Sequence, residues 1–143
     1  MVKSDTHSDD ELKKKYTEDK IIVLGYSIGT GLASKIASTN NSQLLILQAP
    51  YYSLADMIKH SYPIIPTFLL KYKFTTNEFI KACKMPVVLF HGNQDEVIYY
   101  GSSLKLKELF KPHDTLITLN EQGHNGMTDN EDYKAAIRKI LTK

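Results

Sequence analysis

Four short apolar runs constrain this chain more than any other feature. Residues 21–24, 44–47, 87–90 and 115–119 are each four or five residues long and are bounded by turn-forming residues. That is strand length, and unbroken apolar character belongs to strands covered on both faces, as parallel strands are. The segments between them carry helical spacing. After the first run, Leu32 and Ile36, flanked by Ala33 and Ala37, repeat every four residues before the turn-formers of 39–42. After the third, Leu106, Leu109 and Phe110 fall at i, i+3 and i+4, and Pro112 stops the helix. The last segment puts Tyr133, Ile137, Ile140 and Leu141 on one stripe, with Asn130 placed to cap its start and Lys139 and Lys143 near its end. Strand, helix, strand, helix with short links predicts an α/β fold: a parallel sheet flanked by helices.

The 143 residues hold one domain, and 42% hydrophobic content is enough to give it a core. A net charge of +2 supplies no field for nucleic acid or anionic lipid. No apolar run approaches the ~20 residues of a membrane span. The first twenty residues carry eleven charges, so no secretory signal is legible. The single cysteine, Cys83, excludes an internal disulfide framework and a cysteine-based zinc site, which fits a cytoplasmic protein. Two regions stand outside the alternation. Residues 10–20 predict an exposed helix, with Leu12 and Tyr16 as its apolar pair. Residues 51–80 hold seven of the fourteen aromatics, too many for a solvated loop, and predict a small helical cap inserted in the domain.

Gly25-Tyr26-Ser27-Ile28-Gly29 lies between the first strand and the first helix. In a G-x-S-x-G elbow the chain turns so sharply that the serine backbone is strained, and its neighbours two positions away must be small. The turn lifts the hydroxyl above the strand's C-terminal end. It also sets the Ile28 N–H beside a developing oxyanion, at a helix start whose dipole favours negative charge. Tyr26 is assigned with Ile28 to the substrate-binding side of the elbow. A Gly-rich turn that binds phosphate is the competing reading, but the G-x-G-x-x-G spacing and a Lys after the final Gly are missing.

A serine hydroxyl needs a base to take its proton, and the base needs an orienting acid. The third strand runs into Asp95 and the fourth into His124, which puts both at the sheet edge that carries the elbow. Glu96 is the alternative acid, but its longer side chain points more readily to solvent. The order Ser, Asp, His is that of α/β-hydrolases.

The stretches 21–29, 86–98 and 123–125 resemble the α/β-hydrolase superfamily, in particular its acylglycerol lipases, lysophospholipases, depalmitoylases and small bacterial esterases. The resemblance runs from about residue 10 to the C-terminus. It implies that Ser27 is the nucleophile, His124 the general base and then acid, and Asp95 the orienting acid, with 51–80 as cap and no metal or organic cofactor. The expected substrate is a small-molecule ester, thioester or acyl lipid.

Family members have about four strands before the elbow strand, and only twenty residues precede it here. The resemblance therefore implies a truncated α/β-hydrolase fold, the C-terminal half, without the loop that completes the oxyanion hole. The edge of strand 21–25 is then expected to be covered by self-association, by a separate N-terminal half or by helix 10–20. Two other readings follow: a non-catalytic fragment or interaction module, and a serine peptidase. Cys83 reads as a buried structural thiol. His60, His91 and His113 are scattered and form no metal-ligand pattern, His7 sits in a polar terminus, and Lys13 to Lys15 read as a solvated helix face.

Overall fold

A computed structural model describes Thr17, residues 20–61 and residues 75–142. Most of the helix expected over 10–20 and residues 62–74 of the expected cap lie outside the described residues. Strands β1 (Ile22–Tyr26), β2 (Leu44–Gln48), β3 (Val87–Gly92) and β4 (Thr115–Leu119) form one sheet in the order β1-β2-β3-β4. All three pairings are parallel, as the alternation with helices requires. Helix α1 (Gly29–Ser38) joins β1 to β2. Helices α2 (Leu54–Ser61) and α3 (Thr76–Ala82) lie between β2 and β3, α4 (Gly101–Lys107) precedes β4, and α5 (Glu131–Leu141) closes the chain.

The apolar runs are unbroken because both faces of the sheet are covered. Val23, Leu45, Leu47, Val87 and Leu89 point to one side, against Ala33, Ile36 and Ala37 of α1, Ile80 of α3 and Leu106 of α4. Ile22, Leu24, Leu44, Ile46, Val88, Phe90 and Ile117 point to the other, against Tyr133, Ala136, Ile137 and Ile140 of α5. Leu45, Leu47 and Leu89 are fully buried, so truncating any one to Ala costs about 2–5 kcal/mol.

Local signals are realised with two differences. Asn130 does cap α5: its side chain accepts from the Asp132 and Tyr133 N–H groups. Strand β1 runs two residues past its apolar stretch because pairing continues to Tyr26↔Gln48. Helix α4 ends at Lys107, short of Pro112; the Glu108, Leu109 and Phe110 N–H groups bond to the carbonyls three residues back, a tighter exit turn.

The far side of β1 has no strand partner among the described residues, and Ile22 and Leu24 are only partly buried. In the 51–80 segment, Tyr51, Leu54 and Met57 form a cluster with Ile28, Val97 and Ile98. Helix α3 instead joins the layer beneath the sheet through Ile80. Among the described residues no helix is long and apolar enough to cross a membrane, and no group of His, Cys, Asp and Glu is placed to hold a metal ion.

Candidate active site

Ser27 follows β1 directly and has φ 54°, in the left-handed region that a residue with a side chain seldom occupies. Such a conformation costs about 1–3 kcal/mol and persists only where its surroundings hold it. Three hydrogen bonds do so here. The Ser27 N–H donates to Gln48 O at 2.8 Å, and the Thr30 N–H and hydroxyl donate to Ser27 O at 3.1 and 2.6 Å. A Cβ on Gly25 would lie 2.6 Å from Ala33 Cβ and 2.8 Å from Gly29 O, so only glycine lets α1 start this close to β1. Among the described residues the Ile28 N–H, at the start of α1, has no acceptor within the protein.

Asp95 sits in the turn after β3 and its side chain is buried. Its Oδ1 accepts the Val97 and Ile98 N–H groups, each at 2.9 Å. Its Oδ2 faces His124 Nδ1 at 2.8 Å. His124 is carried by the loop after β4, which lies against the Asp95 turn: Gln94 N–H donates to Gln122 O, and a Cβ on Gly92 would meet that same oxygen at 2.1 Å. The other ring nitrogen, His124 Nε2, is 2.9 Å from Ser27 Oγ. The structure therefore brings Ser27, His124 and Asp95 into one hydrogen-bonded chain from the ends of β1, β4 and β3.

The protonation pattern follows from Asp95. Burial acts to raise its pKa, but hydrogen bonds from His124, His91 and the Ile98 N–H outweigh burial and hold the carboxyl well below the usual carboxylate range. An ionised carboxylate only accepts, so His124 Nδ1 carries the hydrogen. Nε2 then presents its lone pair to the Ser27 hydroxyl.

Of the other residues singled out in the sequence, Tyr26 donates its hydroxyl to the His124 carbonyl at 2.8 Å and tilts its ring over the imidazole at 5.3 Å. The rest of that ring is exposed. Burial, then the charge on Asp95, raises the Tyr26 pKa, so the phenol stays a donor. Glu96 is exposed and outside the hydrogen-bonded chain. Cys83 is buried with its thiol 3.9 Å from Ser34 O, and burial pushes it up to about 12, which keeps it un-ionised and inert. His60 stacks on Tyr99 at the far end of α2. One histidine that sequence spacing left unassigned does join the site: His91 is wholly buried, and its Nε2 is 3.3 Å from Asp95 Oδ2.

A cavity of about 570 Å³ flanks the elbow, lined in part by Tyr26, Gly29, Gln48, Met127 and Tyr133. Ser27, Asp95 and His124 are not in its wall, so it adjoins these three residues without containing them.

No family model matches the chain. It is 31% identical over 122 residues to a putative alpha/beta hydrolase, L404, of Acanthamoeba polyphaga mimivirus, an alignment covering 84% of this chain and 43% of the viral protein. Among solved structures, Est1E from Butyrivibrio proteoclasticus superposes with a TM-score of 0.69 at 19% identity, over 95% of this chain and 67% of that one. An acylaminoacyl peptidase of Pyrococcus horikoshii gives a TM-score of 0.72 at 13% identity, over 94% of this chain and 26% of that one. At such identities the likeness is one of fold. The chain spans less than half the length of the curated relatives it matches, 43% of the viral protein and 36% of a Caenorhabditis elegans one.

Proposed function

We propose that this chain, which belongs to the α/β-hydrolase superfamily, carries the catalytic groups of a serine hydrolase that cleaves carboxylic esters or thioesters through an acyl-enzyme on Ser27. The observation that carries this reading is the continuous hydrogen-bonded chain Ser27–His124–Asp95, at 2.9 and 2.8 Å.

In the first half-reaction Ser27 Oγ attacks the acyl carbon while His124 Nε2 takes the hydroxyl proton. The imidazolium that forms is stabilised by Asp95 Oδ2, which also keeps Nδ1 protonated. The negative charge on the substrate oxygen meets the free Ile28 N–H at the start of α1. Collapse breaks the bond to the alcohol or thiol, which leaves with the proton from Nε2. Water then enters, His124 takes its proton, and the acid departs as Ser27 regains its hydrogen. No step calls on a metal or an organic cofactor. The half-exposed ring of Tyr26 borders the approach to Ser27 and, with Ile28, forms the substrate-facing side of the elbow.

The test is labelling of the 143-residue chain with a fluorophosphonate, together with turnover of short p-nitrophenyl esters and of peptide amides, in wild type and Ser27→Ala. Labelling and ester turnover that vanish in the variant support the reading. Turnover confined to amides replaces it with a peptidase, and a folded chain that neither labels nor turns over is a non-catalytic module.

A further inference from the structure

Strand β3 buries every one of its side chains, and all but one of those that precede Gly92 are apolar: Val87, Val88, Leu89 and Phe90 lead to His91, whose exposure is nil. An imidazole is an expensive occupant of such a position unless both nitrogens find partners. Both do. Nδ1 is 2.6 Å from the Ser103 hydroxyl on α4, and Nε2 is 2.8 Å from the Ile98 carbonyl. A carbonyl only accepts, so Nε2 carries the hydrogen and Nδ1 accepts from Ser103. That same Nε2 lies 3.3 Å from Asp95 Oδ2, the oxygen that receives His124 Nδ1–H.

Packing alone does not require this arrangement, since an apolar side chain of similar volume would fill the site at lower cost. What an apolar side chain lacks is a polarised N–H edge 3.3 Å from the carboxylate. Asp95 Oδ1 is already fixed by two backbone N–H groups from the Val97–Ile98 turn. Oδ2 faces two imidazole nitrogens, His124 Nδ1 at 2.8 Å and His91 Nε2 at 3.3 Å; without His91 only the first remains to set its direction.

We propose that His91 is a positioning residue for the catalytic acid: its Nε2–H, held by Ile98 O and Ser103, orients Asp95 Oδ2 toward His124 and draws off part of its negative charge. The inference rests on the serine-hydrolase reading only for its kinetic consequences; the His91–Asp95 contact stands apart from it. The titratable groups that face the pair are His124 from the loop after β4, Tyr26 from the end of β1 through His124, and Tyr100, whose ring meets that of His91 edge-on at 5.7 Å.

Removing the donor has two consequences of definite sign. Oδ2 wanders, so the Ser27–His124 alignment loosens and the chemical step slows, with substrate binding little changed. Oδ2 also keeps more negative charge, so it holds the His124 proton more tightly, and the acid limb of the pH–rate profile moves to higher pH.

The experiment compares wild type, His91→Phe and His91→Gln in the full chain, with circular dichroism as the check on folding. Glutamine places an N–H close to where Nε2–H stood. Expected for His91→Phe is a fall in kcat of about tenfold to a hundredfold with KM within about twofold, and an acid limb displaced upward by about half a pH unit. His91→Gln restores both measures most of the way. A folded Phe variant with unchanged kcat and unchanged acid limb, or a Gln variant as impaired as the Phe variant, overturns the proposal. Nitrogen NMR of wild-type His91 checks the donor without a variant or a substrate: the proposal needs a protonated Nε2, and an unprotonated one overturns it. Carbon NMR of Asp95 should show its titration midpoint rise in His91→Gln and, more, in His91→Phe. These spectroscopic results hold or fail whether or not the chain turns over esters, which separates this inference from the proposed activity.

Discussion

Asp95→Asn tests the site most sharply, because the structure dictates which way the new amide must point. Asp95 Oδ1 accepts two backbone N–H groups, from Val97 and Ile98. The asparagine oxygen must stay there, since the flipped amide would set its NH2 against two N–H donors at about 1–3 kcal/mol for each group left unpaired. The amide nitrogen is thus delivered to the Oδ2 position, facing His124 Nδ1 at 2.8 Å. A donor now faces Nδ1, so the imidazole moves its hydrogen to Nε2 and can no longer take one from Ser27. The same substitution in a serine-protease triad, where it leaves the geometry intact, costs about 10⁴ in kcat. That is about 5.5 kcal/mol of transition-state stabilisation at 1.36 kcal/mol per tenfold. The assay is p-nitrophenyl ester turnover and fluorophosphonate labelling rate at pH 7 to 8, with thermal unfolding to show that the variant is folded. A folded Asp95→Asn chain that keeps its rate within tenfold of wild type refutes the tautomer argument.

Gly92→Ala would drive a Cβ to 2.1 Å from Gln122 O. It should push the His124 loop off the Asp95 turn, lowering stability in urea unfolding by about 1–3 kcal/mol and turnover by much more than core substitutions of equal stability cost do. Asn130→Ala removes the α5 cap and should lower stability by about 0.5–2 kcal/mol, with serine restoring most of it. The lowered pKa of Asp95 makes ionised Asp95 a native-state asset. Its contribution is complete above the unfolded carboxylate value near pH 4 and is lost as pH falls through the lower folded value. The stability gap between wild type and Asp95→Asn should therefore shrink as pH drops from 5 toward 2 in denaturant titrations; a gap that stays constant contradicts it.

What could be read from the sequence follows the locality of each signal. The strands were legible because covering both faces makes each run apolar throughout, and the α5 cap because an N-cap side chain bonds only two and three residues ahead. Ser27, Asp95 and His124 share no local pattern, yet parallel topology sends every strand's C-terminal end to one edge. Three polar residues just past three strands are thereby neighbours before any contact is known. The same logic could not reach His91: a lone imidazole at the end of an apolar strand has no spacing that distinguishes it from a core histidine, and its partner Asp95 becomes one only when the 92–98 turn folds back. Nor could it reach the Tyr26 hydroxyl's bond to a carbonyl 98 residues away, or the early end of α4. Gly92 likewise carries no local signal, because what matters there is a close approach between loops that follow different strands.

The site's precision is inherited from the sheet. Ser27, Asp95 and His124 hang from β1, β3 and β4, far apart in sequence, so the distances of 2.8 and 2.9 Å depend on strand register together with the Tyr26–His124 and Gln94–Gln122 bonds that tie the loops. One residue of slip between parallel strands is ~3.3 Å and turns each side chain to the opposite face. Reactive alignment tolerates about 1 Å. Register is fixed here by burial on both faces, through Leu45, Leu47 and Leu89 on one side and Ile46 and Phe90 on the other, so a slip would not hide an apolar face but would mismatch two packed layers at once. The close-approach glycines lie where that rigidity must be handed to the loops: Gly25 seats α1 against the elbow strand, and Gly92 seats the His124 loop against the Asp95 turn. The alignment of Ser27, His124 and Asp95 is thus anchored in the core and passed to the loops through two positions where no side chain fits.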